Sequence, residues 1–200
     1  MIRYLNHNEI DRSKWDKCVE SSYNGLVYAA SWYLDVVSPG WNALIEDDYK
    51  SVFPLCHRKK YGFSYLYQPH FTQQTGLFSK NDINASEEIK KFLGAIPEKF
   101  KLIEINLNTG NDVTEFGKFK IGKRKTHHLS LTKPIEELRK NYSENLRRNL
   151  KKAKQVVQTI ESGPELKSII ELFRSERGKQ IEQLGDKEYE MLEEIVRQAE

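Results

Sequence analysis

Between Asn141 and Gln155 the chain reads NYSENLRRNLKKAKQ, and five of the eight residues from Arg147 to Lys154 are basic while none is acidic. On a helix of about 3.6 residues per turn, Arg147, Arg148, Lys151, Lys152 and Lys154 share one side. Leu146, Leu150, Ala153 and Val157 share the other. Such a helix can rest its apolar stripe on a core and present its cations to an anionic partner. Two adjacent guanidinium groups suit phosphate, which they grip through paired N–H bonds. The same spacing also describes the solvated face of an ordinary surface helix, and spacing alone leaves both readings open.

A second concentration of chemistry lies at Tyr65, Tyr67, Gln68, His70, Phe71, Gln73 and Gln74. Aromatics and neutral amides gathered after a strand can line a ligand cleft, offering stacking surface and uncharged hydrogen-bonding groups. Core packing and edge capping use the same residues equally well. Other candidates are weaker. Glu46, Asp47 and Asp48 suit a hairpin turn for conformational reasons. Glu104 within KLIEINL is expected to face solvent. His127 and His128, placed in an expected strand, would point to opposite faces and so could not readily share a metal. Cys56 and His57 are likewise adjacent rather than spaced as ligands. The chain has no phosphate-binding P-loop, dinucleotide GxGxxG, zinc HExxH or nucleophile GxSxG motif.

These groups sit on a 200-residue chain, 38% apolar and 30% charged, which suits one generous domain or one domain and the start of another. The net charge of +3 is modest, so the basic character is local, concentrated from Lys118 to Lys154. Two distant cysteines, Cys18 and Cys56, read as reduced thiols. With no signal-like N-terminus and no apolar run of membrane-spanning length, a cytoplasmic location is expected.

The elements that must position these residues can be read from periodicity. Helices are expected at Asp11–Ser22, Val27–Val37 and Asn84–Leu93, and again over Pro164–Gln183 and Lys187–Ala199. Strands are expected at Trp41–Glu46 and Tyr49–Leu55, around a tight turn at Asp47-Asp48, and at Gly62–Tyr67 after a basic turn at Arg58–Lys60. Further strands are expected at Leu102–Leu107, at one or two places within Gly117–Leu131, and at Val156–Ile160. Interleaved helices and strands with an early meander predict an α/β or α+β fold around a mixed, mostly antiparallel sheet flanked by helices, with a helical C-terminal tail. Leu166, Ile169, Ile170, Phe173 and Ile181 give that tail an apolar face, expected to pack back on the lobe or in a homodimer.

The stretch WNALIEDDYKSVFPLCHRKKYGFSYLYQPHFTQQTGLF, followed by HHLSLTKPIEELRKNYSENLRRNLKKAKQ, resembles FemABX-like proteins of the GNAT acyltransferase superfamily. More closely, it looks like GNAT-type proteins of Bacteroidetes-like bacteria, and the resemblance covers roughly residues 10 to 160. It implies a GNAT-like lobe over residues 1–162 and a helical segment at 163–200 that opens a second, missing lobe. The S-x-N-x-R-R-N helix of those proteins matches Ser143 to Asn149, carrying over Asn145, Arg147, Arg148 and Asn149, with Lys152, Ala153 and Lys154 continuing it. The acetyl-CoA pyrophosphate loop [QR]-x-x-G-x-[GA] has no match. The resemblance therefore implies aminoacyl-tRNA as donor ahead of acetyl-CoA, with no covalently bound cofactor.

The function implied is an acyl or aminoacyl transferase acting on a cell-wall precursor or another amine acceptor. The alternative is a non-catalytic lobe that binds RNA or another phosphate-bearing partner through the basic helix. The residues expected to bind tRNA or a nucleotide-linked precursor are Tyr67, Gln68, Phe71, Gln73, Gln74, Asn145, Arg147, Arg148, Lys151 and Lys152, with no metal site and no assigned catalytic residue.

Overall fold

A computed structural model describes residues 1–80, 85–117, 119–157 and 165–199. The fold is mixed α+β. Strands β1 (Ile2–Leu5), β2 (Asn42–Glu46), β3 (Ser51–Leu55) and β6 (Phe78–Ser79) form one antiparallel sheet in the order β1-β2-β3-β6. Strands β4 (His57–Lys60), β5 (Phe63–Leu66) and β7 (Phe100–Ile103) form a second sheet, with β4–β5 antiparallel and β5–β7 parallel. The helices are α1 (Arg12–Glu20), α2 (Ser31–Val37), α3 (Ala85–Gly94), α4 (Ile135–Lys140), α5 (Glu144–Val156), α6 (Leu166–Ser175) and α7 (Asp186–Ala199).

The chain divides into two compact units, one of Met1–Ile121 with Arg177–Glu200 and one of Gly122–Glu176. The expected boundary at 162/163 lies outside the described residues.

In the first unit β2 and β3 are almost wholly buried, because helices cover the sheet on both sides. Side chains alternate across a strand, so Ala43, Ile45 and Val52 join Trp15, Cys18, Leu34 and Trp41 in one core. Leu44, Phe53 and Leu55 join Ile89, Phe92 and Phe100 in the other. The Trp15 and Trp41 rings lie 4.6 Å apart, and Trp15 Nε1 donates to the Ala29 carbonyl at 2.7 Å, so the indole is buried with its polar atom satisfied. Asp11 starts α1, its carboxylate accepting the Lys14 N–H at 3.1 Å. The expected second helix is a 3-10 turn at Val27–Ala29 followed by α2. The expected hairpin turns through Asp47 and Tyr49, both at positive φ. Asp tolerates that conformation well, and Tyr49 is held there by its buried ring and by the Asp11 N–H donated to its hydroxyl at 2.6 Å.

Three expectations are corrected. Arg58–Lys60 is not a turn but most of β4, and the turn falls at Tyr61-Gly62, where both residues have positive φ. The Trp41–Tyr67 meander is divided between the two sheets at Cys56. Gly117–Leu131 forms no strand among its described residues; a single bridge pairs Phe116 with Phe119, and His127 and His128 are exposed outside regular structure. Val156 closes α5, and the rest of the strand expected to reach Ile160 lies largely outside the described residues. Of the C-terminal helices, α7 packs on α2 with Tyr189 buried, whereas α6 belongs to the second unit. No helix among the described residues is long and apolar enough to cross a membrane.

Candidate functional site: an amide-braced loop and a cationic helix

The loop from Tyr67 to Leu77 is held by its own polar side chains. Tyr67 donates its backbone N–H to the Cys56 carbonyl at 3.1 Å and its hydroxyl to the Val37 carbonyl at 3.3 Å. The Arg58 guanidinium stacks 4.2 Å from its ring centre. Gln68 spans the loop, accepting the Asn106 N–H at 2.9 Å and donating to the Thr72 carbonyl at 2.7 Å. Phe71 takes positive φ, and its carbonyl accepts the Tyr33 hydroxyl at 2.6 Å. Burial pushes the Tyr33 phenol up to about 12, so it remains a donor at neutral pH. Gln74 is buried and accepts the Thr109 N–H at 3.3 Å. Gln68 and Gln74 thus brace the backbone, while Gln73 is exposed.

A clasp of three asparagines closes the end of this loop. Asn108 is buried; its amide donates to the carbonyls of Thr75 and Leu77, each at 3.1 Å, and its oxygen accepts from Asn24 Nδ2 and the Gly110 N–H, each at 2.9 Å. Asn111 holds Leu77 at both ends, accepting its N–H at 2.7 Å and donating to its carbonyl at 2.9 Å. Gly76 fits between them at a φ of +107°, where a Cβ would lie 2.3 Å from Asn111 Oδ1. The sequence reasoning missed this clasp. The available signal was NLNTGND at 106–112, whose Asn and Gly content marks specialised turn chemistry.

His70, within this loop, is half-buried, with Nε2 4.0 Å from Glu188 Oε1 at the start of α7. The Gly185 N–H at 2.9 Å holds the Glu188 carboxyl below its usual range, with His70 and Arg58 acting in the same direction. An imidazole beside a carboxylate is an arrangement that can pass a proton to and from a ligand. His57 is different: burial depresses its basicity, and its Nε2 lies 2.8 Å from Asn42 Nδ2, which makes it a structural acceptor. Cys56 is fully enclosed and its thiol is pushed up to about 12 by burial. Glu104 is exposed, as expected. Among the described residues no group of three or more His, Cys, Asp or Glu could hold a metal.

In the second unit, α5 starts at Ser143, whose hydroxyl accepts the Leu146 N–H at 3.2 Å. Glu144 in its first turn and Lys154 in its last complement the helix dipole. None of its residues is buried, and Leu146 and Leu150 keep 40% and 41% of their surface exposed. The apolar stripe expected to rest on a core therefore remains largely open. Arg147 donates to the Lys140 carbonyl at the end of α4 at 2.7 Å, and Arg148 donates to Asn145 Oδ1 at 2.8 Å. Each guanidinium has five N–H donors, so these bonds orient the two groups and leave donors for a ligand. Lys151 and Lys152 are exposed.

The predicted residues therefore fall into two sets. Tyr67, Gln68, Phe71, Gln73 and Gln74 share the braced loop of the first unit, and Asn145, Arg147, Arg148, Lys151 and Lys152 share α5 in the second. Compared with known proteins, the chain matches no protein-family model, no curated protein and no solved structure.

Proposed function

We propose that this chain serves acyl transfer in the manner of the Fem-like GNAT proteins it resembles, moving an acyl or aminoacyl group from a phosphate-bearing donor to an amine. The observation that carries the reading is α5: a capped helix that presents Ser143 to Asn149 with Arg147, Arg148, Lys151 and Lys152 all exposed. The mixed, mostly antiparallel fold with helices on both faces of its main sheet is consistent with it. Aminoacyl-tRNA is the preferred donor, because a polyanion rewards a row of cations. The acceptor is the amine of a cell-wall precursor or a related compound.

In the reaction the amine nitrogen attacks the ester carbonyl carbon, the C–N bond forms, and the C–O bond to the donor ribose breaks. Positioning and stabilisation of the oxyanion supply most of the acceleration, so no fixed triad is required. The proton lost from the amine passes to a base, for which His70 with Glu188 is the candidate, and is returned to the departing ribose oxygen, which leaves as a hydroxyl.

The Arg147→Gln, Arg148→Gln double variant tests the reading. Exposed cations contribute little to folding, so stability should hold. Affinity for charged tRNA should fall several-fold and its salt dependence should flatten. His70→Gln should lower transfer while leaving tRNA affinity intact. A second reading, an RNA-binding lobe without chemistry, is favoured by the engagement of Gln68 and Gln74 with backbone. Salt-sensitive binding with no transfer would select it.

A further inference from the structure

The sheet of β4, β5 and β7 has one face in the core and one in solvent, and its register separates them. Leu66 pairs with His57 and with Ile103, and these positions look inward together with Phe100, the His57 and Phe100 rings lying 5.7 Å apart. The alternate pairs, Arg58 with Tyr65, Lys60 with Phe63, and Tyr65 with Leu102, share the outer face. A bulge between Ser64 and Tyr65 brings Lys101 beside them. Together they border a shallow groove of about 370 Å³ lined by Lys60, Phe63, Ser64, Tyr65, Lys101 and Leu102. Phe63 and Leu102 are each 62% exposed, and Tyr61 at the hairpin tip is 87% exposed.

Cations on β4 alone would be explained by protection of an edge strand, which lysine keeps from pairing with other chains. That does not account for Phe63 on the central strand, or for an exposed tyrosine at the tip with Lys60 Nζ 5.3 Å from its ring centre. Large exposed aromatics interleaved with cations are what a single-stranded polynucleotide requires: ring faces for its bases and positive charge for its phosphates. No paired position on this outer face is acidic, and Glu104 comes just past the end of β7. Arg58 already stacks on Tyr67, and Tyr65 meets Tyr67 edge-on with centroids 6.3 Å apart, so the rings at this end of the face are fixed in place.

We propose that this outer face is a stacking platform for single-stranded nucleic acid, with Phe63 and Tyr61 as base-stacking groups and Lys60 and Lys101 as phosphate contacts. It lies in the first unit and is independent of α5 and of the transferase reading.

The test is fluorescence anisotropy of the full chain with a labelled oligouridylate of about eight nucleotides, over a range of salt. Tyr61→Ala with Phe63→Ala should weaken binding by about tenfold or more with circular dichroism unchanged, and Phe63→Trp should retain it. Lys60→Gln with Lys101→Gln should lower the salt slope by about 0.7 to 1.4, following the loss of one or two phosphate contacts at about 0.7 per contact on a single strand. Ultraviolet cross-linking should place the oligonucleotide on the hairpin peptide that contains Tyr61 and Phe63. The Tyr61→Ala/Phe63→Ala loss should be of the same size in an Arg147→Gln/Arg148→Gln background, which separates this platform from α5. Absent binding at low salt, or binding lost in the α5 variant but kept in Tyr61→Ala/Phe63→Ala, would overturn the proposal. So would a homodimer held by this face.

Discussion

Replacing Asn108 should reveal how the candidate loop is held. In Asn108→Ala the Thr75 carbonyl keeps the backbone N–H of residue 108 at 2.8 Å, and the Leu77 carbonyl keeps the amides of Asn24 and Asn111. The clear loser is the Gly110 N–H, which now bonds Asn108 Oδ1. One stranded donor costs about 1–3 kcal/mol and each lost bond to a satisfied partner rather less, so a total of about 2–4 kcal/mol is expected. Asn108→Asp keeps an oxygen for Asn24 and Gly110 but turns a second oxygen toward the carbonyls of Thr75 and Leu77. A buried carboxylate facing two acceptors must be repelled or protonated, so Asp should be worse than Ala by about 1 kcal/mol or more at neutral pH. Its carboxyl would titrate higher in the folded than in the unfolded chain. The folded state then binds more protons, and the deficit should shrink as the pH falls. Urea unfolding followed by fluorescence of Trp15, Trp32 and Trp41 at pH 7 and pH 5 measures both effects. Asn108→Asp as stable as Asn108→Ala at pH 7 would refute the donor role assigned to this amide.

Gly76→Ala should cost about 2–4 kcal/mol, combining an unfavourable positive φ with displacement of Asn111 from the Leu77 N–H; a midpoint unchanged in urea would contradict the clasp. His57 is less basic in the folded chain than in the unfolded one, so unfolding takes up a proton and stability should fall as the pH drops through about 6.5; His57→Gln should flatten that slope in denaturant midpoints. Cys18 and Cys56 are buried with raised thiol values, so a thiol reagent at pH 8 should label the native chain slowly and the urea-unfolded chain at both sites; rapid native labelling would contradict their enclosure.

What was legible in the sequence was local. The β2–β3 hairpin could be read because its turn chemistry at Asp47-Asp48 sits between apolar runs, and α5 because its charged and apolar positions recur at helical spacing within one short segment. Three consecutive cations predict a solvated bend where strand β4 stands. An open sheet face and an edge position accommodate them without leaving extended backbone. The strands expected in Gly117–Leu131 were read from local residue preference, which is weak where no partner strand is available to pair. The asparagine clasp was illegible because Asn24 and Asn108 lie 84 positions apart, and only the folded sheet brings them together. The loop amides illustrate the same limit: composition showed that Gln68 and Gln74 could bond, but not that backbone groups of Asn106 and Thr109 would be their partners.

The most direct test of the transferase account is transfer of a radiolabelled amino acid from charged tRNA to an amine acceptor, with peptidoglycan precursors tried first. The account predicts acid-stable, amide-linked label in the acceptor, reduced several-fold in Arg147→Gln/Arg148→Gln at limiting tRNA and reduced in His70→Gln at saturating tRNA. Salt-sensitive tRNA binding with no label transferred to any amine acceptor would contradict it.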